Sequence, residues 1–221
     1  MLALALVRDL VGWMPRSATA VGVVAGPLAV LGYLVGSLPY DRLLGRRRRS
    51  DDPAPAAVAA AVATLLVASV AWDVAQAATP GGQFSNGVGA FSNQALGAWV
   101  SVALWTGAAA VAGHLAPVWR GFRGGDGVAP AGALTFAYAP VVFAVAAGAF
   151  LAAVAATGRP RLALLACLPP AAVYAYGAWL LDLPSGWGVT SGPELTLWVV
   201  VVAGALWAGN WRRRDERPPP P

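Results

Sequence analysis

Residues 128–158 read VAPAGALTFAYAPVVFAVAAGAFLAAVAATG and carry no charged side chain. A helix needs roughly 20 apolar residues to cross a bilayer, and this run is longer than that. Pro130 and Pro140 interrupt it, and a proline removes a helical hydrogen bond. Two short passes therefore fit better than one long helix, with an arm of about 18 Å before Pro140 and a fuller arm after it. The stretch predicts a membrane hairpin whose shorter arm is half-buried or re-entrant.

Further uncharged runs lie on both sides of this hairpin, at residues 17–40, 53–72, 74–119, 162–181 and 195–211. Apolar residues make up 58% of the chain and charged residues 11%, about half the usual charged share. A soluble core helix would have a polar face, and these runs have almost none. The sequence predicts an all-α protein, a polytopic integral membrane helical bundle with about six to seven membrane segments.

The basic residues are all arginine, and they indicate how the bundle lies in the membrane. Cytoplasmic loops of membrane proteins are rich in basic residues, so the net charge of +5 does not indicate a nucleic acid partner. A hairpin at 128–158 puts every arginine from Arg42 onward on one side, whereas a single pass would divide them. We therefore expect the N-terminus outside, the C-terminus in the cytoplasm, and cytoplasmic loops at residues 42–52, 114–127 and 157–161.

The ends of the chain differ from its centre. Residues 1–16 form a short amphipathic segment, 17–211 a transmembrane domain, and 212–221 a basic, proline-rich tail that we expect to be disordered. Cys167 is the single cysteine and cannot form an internal disulfide. Asp73 lies in the second apolar run; it is either a functional intramembrane acid or a residue one turn from solvent.

Residues 114–129, HLAPVWRGFRGGDGVA, form the longest run that is both polar and glycine-rich. Glycines let backbone amides turn toward an anion, and Arg120 and Arg123 add positive charge. Such a run also often only joins two membrane helices. His114 could be a general base, a phosphate ligand or a helix-end histidine bonded to backbone. With one histidine and a distant cysteine we expect no metal site, and nothing in the chain indicates a cofactor.

With its flanks this stretch resembles the second motif of the bacterial membrane acyl-phosphate–glycerol-3-phosphate acyltransferase family, of the form GHxxPVxxGFKGGKGVAT. The matching residues are Gly113, His114, Pro117, Val118, Gly121, Phe122, Gly124, Gly125, Gly127, Val128 and Ala129. Residues 36–40, GSLPY, resemble the family's GSIPF at the end of its first helix. Arg159 matches the arginine of a third motif, RYVSLxS.

The resemblance implies a helical enzyme of the bacterial plasma membrane that moves a fatty acyl group from acyl phosphate to the 1-hydroxyl of glycerol 3-phosphate, at the start of phospholipid synthesis. It makes Ser37 and His114 the catalytic candidates. It makes the substrate-binding candidates Arg120, Gly121, Arg123, Gly124, Gly125, Asp126, Gly127 and Arg159. The partners implied are the lipid bilayer and these two phosphate-bearing substrates.

Several positions depart from the family pattern. Asp126 stands where the pattern has its second lysine, and the family's GSGNxGATN loop is replaced by SDDPAPAAVAAAVATLL from Ser50. No serine or threonine lies between Thr157 and Ser185, where the third motif has its hydroxyl residues, and the usual histidine-arginine-asparagine ending is absent. These losses predict weakened or lost activity. A non-catalytic scaffold, or a relative that binds lipid or an anion, is the alternative; a small transporter has little support.

Overall fold

The computed structural model describes residues 18–44, 54–78, 98–183 and 187–215. Within these ranges the chain forms eight α-helices and one 3₁₀ turn. In chain order the helices are α1 (Ala18–Gly36), α2 (Tyr40–Leu43), α3 (Ala54–Ala78), α4 (Ala98–Leu115), α5 (Val128–Tyr138), α6 (Pro140–Thr157), α7 (Pro160–Leu180) and α8 (Pro193–Asp215). The predicted N-terminal segment, the arginine run and helix start at residues 45–53, and the end of the tail lie outside the described residues.

Five of the described helical segments are long and apolar enough to cross a membrane, and the shorter apolar helices Val23–Gly36 and Val128–Tyr138 accompany them. The prediction of an all-α membrane bundle is therefore confirmed. The first span is shorter than predicted. It ends at Gly36 and not at Tyr40, because Leu38 precedes Pro39 and that position disfavours helical backbone. The last helix continues to Asp215, beyond the predicted domain end at residue 211.

Helices α5 and α6 form the predicted hairpin. Ala139 interrupts the helix with φ −147° and ψ 70°, and Pro140 starts α6. Phe136 and Phe143 contact each other edge-on across the turn, with ring centroids 5.5 Å apart. Val128 at the start of α5 and Gly158 after the end of α6 line the same cavity, so the two arms return to one end of the bundle.

The tip of the hairpin is buried against the segment that joins α7 to α8. The Val189 amide donates a 2.8 Å hydrogen bond to the Tyr138 carbonyl oxygen. Gly188, with φ +90°, lies so close to Tyr138 that a Cβ there would overlap the Tyr138 backbone. The 11-residue helix α5 is about 16 Å long and too short to cross a bilayer alone. The segment that joins α7 to α8 folds inward and packs against the C-terminal end of α5.

The core lies between α3, α4, α5, α7 and α8. Trp72 stacks on Tyr138 with ring centroids 6.0 Å apart, and both side chains are fully buried. Trp198 of α8 donates its indole N–H to the Leu104 carbonyl oxygen of α4 at 2.8 Å. This hydrogen bond avoids the cost of burying an unpaired indole N–H, a cost that the buried Trp72 N–H does carry among the described residues. These contacts hold the hairpin against the longer helices.

Glycines bring α1 and α4 into close contact. A Cβ at Gly32 would overlap the Thr106 carbonyl oxygen, and one at Gly36 would overlap the Ala110 backbone. Gly113 faces the Tyr33 carbonyl oxygen from the other helix in the same way. Small residues four apart let membrane helices approach until their backbones touch. This packing fixes the ends of α1 and α4 together, next to the polar loop that follows α4.

Candidate functional site

The loop after α4 is folded by its glycines. Val118–Arg120 form a 3₁₀ turn, and Gly121 and Gly127 adopt left-handed backbone with φ 59° and 70°. The Gly125 amide donates a 2.8 Å hydrogen bond to the His114 carbonyl oxygen, so the loop folds back over the end of α4. Phe122 is a non-glycine residue at φ 63° and its side chain is exposed. The glycines thus shape the loop, and several of them serve packing.

Two of these glycines are needed for space. A Cβ at Gly124 would overlap the His114 carbonyl oxygen and the Pro117 ring, and one at Gly125 would overlap the His114 imidazole. Gly127 packs against Leu115 and Leu206. Gly121 has open space around it, so only its backbone conformation requires glycine. The glycine pattern of the loop therefore reflects close approach to α4 as much as anion binding.

A polar cavity of about 330 Å³ opens where α1, α3, α4 and the loop meet, and we call it the polar cavity. It brings together five of the residues singled out in the sequence: Ser37, His114, Arg120, Gly125 and Asp126. Ala56 and Ala57 of α3 and Tyr40 of α2 complete its wall. These residues come from stretches that are far apart in sequence, and the α1–α4 contact brings them together.

Ser37 and Tyr40 are held by backbone carbonyls of α1. The Ser37 hydroxyl donates to the Tyr33 carbonyl oxygen at 2.7 Å, and its side chain is 1% exposed. The Tyr40 hydroxyl donates to the Val35 carbonyl oxygen at 2.7 Å. Burial raises the pKa of the Tyr40 phenol, which keeps it a neutral donor. In this structure both hydroxyls stabilise the end of α1.

Arg120 is bound by an acid that the sequence analysis did not single out. Its guanidinium lies 2.7 Å from the Asp41 carboxylate, and the two side chains are 38% and 41% exposed. Asp41 lies in α2, directly after the GSLPY stretch, and a charge following a helix-ending motif was the available signal. An anion that enters the polar cavity has to compete with Asp41 for Arg120.

Asp126 is bound to the start of α5. Its Oδ1 accepts a 3.1 Å hydrogen bond from the Val128 amide, and its backbone carbonyl accepts one from Asn210 at 3.3 Å. A carboxylate at a helix N-terminus is stabilised by the unpaired amides and by the helix dipole. No sequence pattern indicated Asn210, which lies just before the basic tail.

A second cavity of about 760 Å³ adjoins the first, and we call it the arginine cavity. Its lining includes Arg159 and Arg161 at the start of α7, Asn210 of α8 and Asp126. Thr157, the last hydroxyl residue before the arginines, accepts the Arg159 amide at 3.2 Å. The Thr157 hydroxyl itself donates a 2.7 Å hydrogen bond to the Ala153 carbonyl oxygen, which stabilises the end of α6. Thr157 does not line the cavity.

An apolar groove of about 270 Å³ continues from the arginine cavity between α5, α6, α7 and α8. Val128, Phe150 and Leu164 line both spaces. The three spaces therefore follow one another as polar cavity, arginine cavity and apolar groove.

The remaining candidates lie elsewhere. Arg123 is exposed on the loop and lines none of these three spaces. Asp73 is exposed on α3, sixteen residues after Ala57, which puts it about 24 Å along the helix from the polar cavity. Among the described residues no group of three or more histidine, cysteine, aspartate or glutamate side chains could hold a metal ion.

Fold and site together define a helical membrane protein with a polar, arginine-containing site at one end of the bundle and an apolar groove leading from it. The family model for glycerol-3-phosphate acyltransferase matches residues 27–216. The chain belongs to this family.

Curated relatives and solved structures agree with that assignment. A glycerol-3-phosphate acyltransferase of Azotobacter vinelandii is 35% identical over 143 residues, which cover 64% of this chain and 75% of the relative. One from Pseudomonas putida is 33% identical over 143 residues, with the same coverage. The crystal structure of an integral membrane glycerol 3-phosphate acyltransferase in its lysophosphatidic acid form has a TM-score of 0.58 at 20% identity, covering 87% of this chain and 90% of that one. Its glycerol 3-phosphate form gives 0.56 at 19% identity, with the same coverage.

Proposed function

We propose that this chain transfers a fatty acyl group from acyl phosphate to the 1-hydroxyl of glycerol 3-phosphate. The observation that carries the proposal is the continuous series of polar cavity, arginine cavity and apolar groove. A reaction between a small polar phosphate ester and a long-chain acyl phosphate needs two anion sites that meet, and an apolar space beside one of them. The catalytic task is to hold the two substrates in contact and to stabilise their charges.

Glycerol 3-phosphate fits the polar cavity. Arg120 supplies positive charge there, and Ser37, Tyr40 and His114 supply polar groups around it. The volume of about 330 Å³ is at the small end of the range for ligand sites, which suits a small substrate. Asp41 competes for Arg120, so we expect weaker binding of glycerol 3-phosphate than in relatives that lack such an acid.

Acyl phosphate fits the other two spaces. Arg159 and Arg161 face the arginine cavity and would bind its phosphate. The groove is lined by residues 128–135, 142–150, 164–171 and 198–206, one stretch from each of four helices. Stretches of this length measure about 10–12 Å along a helix. At roughly 1.1–1.2 Å per bond in an extended chain, the groove holds about nine or ten bonds of the acyl chain.

The site also has features that weaken the binding of its anionic substrates. Asp126 puts a negative charge between two anionic substrates, and like charges 4 Å apart repel by about 4 kcal/mol at an effective dielectric near 20. Arg120 is already paired with Asp41. These two observations favour an enzyme that binds its substrates weakly, and they also support the second candidate, a non-catalytic relative that binds an anion or lipid headgroup at the same cavities.

The test is acyl transfer by the whole chain in lipid vesicles, with acyl phosphate and radiolabelled glycerol 3-phosphate. We expect lysophosphatidic acid as the product, more slowly than from the Azotobacter relative under the same conditions. Arg159→Ala should abolish most of the activity, and Arg42→Ala should not, because exposed Arg42 lines neither cavity. If this chain binds inorganic phosphate but forms no product while the relative is active, the second candidate, a non-catalytic relative, replaces the enzyme proposal.

A further inference from the structure

Asp126 is the one described residue that lines both the polar cavity and the arginine cavity. If the two substrates occupy these cavities as proposed above, the acceptor hydroxyl and the acyl carbonyl meet beside this carboxylate. Its place in the fold is therefore the junction where the new bond forms. The inference that follows rests on the proposed function.

The position of Asp126 is fixed from several sides. The Val128 amide binds one carboxylate oxygen, and the Asn210 side chain binds the backbone carbonyl. Asn210 is itself anchored, since the same amide nitrogen donates to the Leu206 carbonyl oxygen at 2.8 Å. On the N-terminal side of Asp126, the Gly125 amide donates a 2.8 Å hydrogen bond to the His114 carbonyl oxygen at the end of α4. A group held in this way is pre-organised for chemistry and loses little freedom when substrate binds.

The charges around Asp126 determine which substrate group it can bind. His114, Arg120, Asp41 and Tyr40 line the polar cavity, and Arg159 and Arg161 line the arginine cavity. The ion pair that the described residues form is that of Arg120 with Asp41, and the hydrogen bond described for the Asp126 carboxylate comes from the Val128 amide. An ionised carboxylate only accepts hydrogen bonds. It repels both phosphates and attracts a hydroxyl, and the reacting hydroxyl belongs to the acceptor.

We propose that Asp126 is the general base of the acyl transfer. The hydroxyl donates its hydrogen bond to the carboxylate, and its oxygen attacks the carbonyl carbon of the acyl phosphate. The new ester C–O bond forms while the C–O bond to phosphate breaks, and the bonding electron pair leaves with the phosphate. The hydroxyl proton goes to Asp126, which then passes it to the departing phosphate, so the carboxylate is restored for the next cycle.

This assignment gives the departure from the family pattern a chemical meaning. A lysine at this position would attract the phosphates but could not accept a proton while it carries its charge. The carboxylate gives up that attraction and supplies a base instead. Ser37 is less suited to this task because its hydroxyl is directed into α1 and the residue is 1% exposed.

The test compares three substitutions of Asp126 in the whole chain in vesicles. Asp126→Ala should lower kcat by about 100-fold or more, the usual contribution of a general base, while KM for glycerol 3-phosphate stays the same or falls. Added formate should restore part of that rate, since a small carboxylate can enter the vacated space. Asp126→Asn keeps an acceptor for the Val128 amide, and it should keep the Tm of the unmodified chain yet lose kcat to the same degree.

Asp126→Lys gives the sharpest distinction. If Asp126 were only a defective phosphate ligand, the lysine variant would turn over faster than the unmodified chain. If Asp126 is the general base, the lysine variant has lost that base and turns over more slowly. Asp182→Ala, at the far end of α7, is the matched control and should neither lose kcat nor respond to formate. Full kcat in Asp126→Asn, a gain in Asp126→Lys, or no response of Asp126→Ala to formate would overturn the assignment and leave the acyltransferase proposal standing. If the unmodified chain is inactive under conditions in which the Azotobacter relative is active, both the base assignment and the acyltransferase proposal are wrong.

Discussion

Two acidic residues set the charge of this site. Asp41 pairs with Arg120 at 2.7 Å, and Asp126 lies between the two cavities. In the proposed reaction the first limits how strongly an anion binds, and the second accepts a hydrogen bond from the acceptor hydroxyl. Two acids at different points of one site therefore have separable effects, one on affinity and one on rate.

Asp41→Asn should tighten anion binding by releasing Arg120. We expect the dissociation constant for inorganic phosphate to fall severalfold, because the guanidinium no longer has a competing carboxylate. Stability should change by less than about 1 kcal/mol, since partly exposed ion pairs contribute little. Calorimetric titration with phosphate measures the first effect and a thermal melt the second. Asp182→Asn is the control, and unchanged phosphate binding in Asp41→Asn would show that Arg120 does not contact the anion.

At the level of helices, the site depends on the close contact of α1 with α4. Gly113 lies against the Tyr33 carbonyl oxygen and near the Ser37 backbone amide, 3.0 Å from where a Cβ would stand. The Tyr33 hydroxyl donates a 2.7 Å hydrogen bond across the same interface to the Ala116 carbonyl oxygen. The polar cavity exists because these two helix ends touch.

Gly113→Ala should separate the helix ends. The added methyl group would overlap backbone, which cannot move aside as a flexible side chain can. We expect a loss of about 1–3 kcal/mol or more in the free energy of unfolding, with loss of the polar cavity. Gly148→Ala is the matched control, because nothing lies within 4 Å of its Cβ position and alanine favours a helix. Thermal melts in detergent compare them, and equal melting temperatures would contradict the close contact.

The groove between the hairpin and α7–α8 should select by chain length. Ala203→Phe would fill the groove from α8. We expect a raised KM for long-chain acyl phosphates and little change for acetyl phosphate, which needs no groove. Ala152→Phe, at an exposed position of α6, is the matched control. If Ala203→Phe changes both donors equally, the acyl chain lies outside the groove.

Across the whole molecule the described arginines lie at one end of the bundle. Arg120, Arg159 and Arg161 lie at the cavity end, whereas Asp182 and Glu194 flank the segment joining α7 to α8 at the other end. Basic residues favour the cytoplasmic side of a membrane, so the position of the arginines supports cytoplasmic cavities and an N-terminus outside.

Cysteine labelling of intact cells tests this orientation. In a Cys167→Ala background we expect an impermeant maleimide to label Asp182→Cys from outside, and to label Thr157→Cys only after the cells are opened. The hairpin is needed for this result, because a single pass through residues 128–158 would move residue 157 to the other side. Labelling of residue 157 in intact cells would reverse the orientation.

The sequence by itself determined the fold class and the hairpin, because the length of an uncharged run and the position of a proline are local properties that act whatever the chain packs against. It also identified the loop at residues 114–127, since glycine spacing restricts backbone directly. It could not determine the partner of Arg120, the position of Asn210 or the junction at Asp126. These depend on which distant helix ends meet, and that is decided by the α1–α4 contact and the return of α6 and α8 to the same end. The prediction of weakened activity used only the identity of Asp126, and only the tertiary structure shows its carboxylate bound to the α5 N-terminus between two cavities.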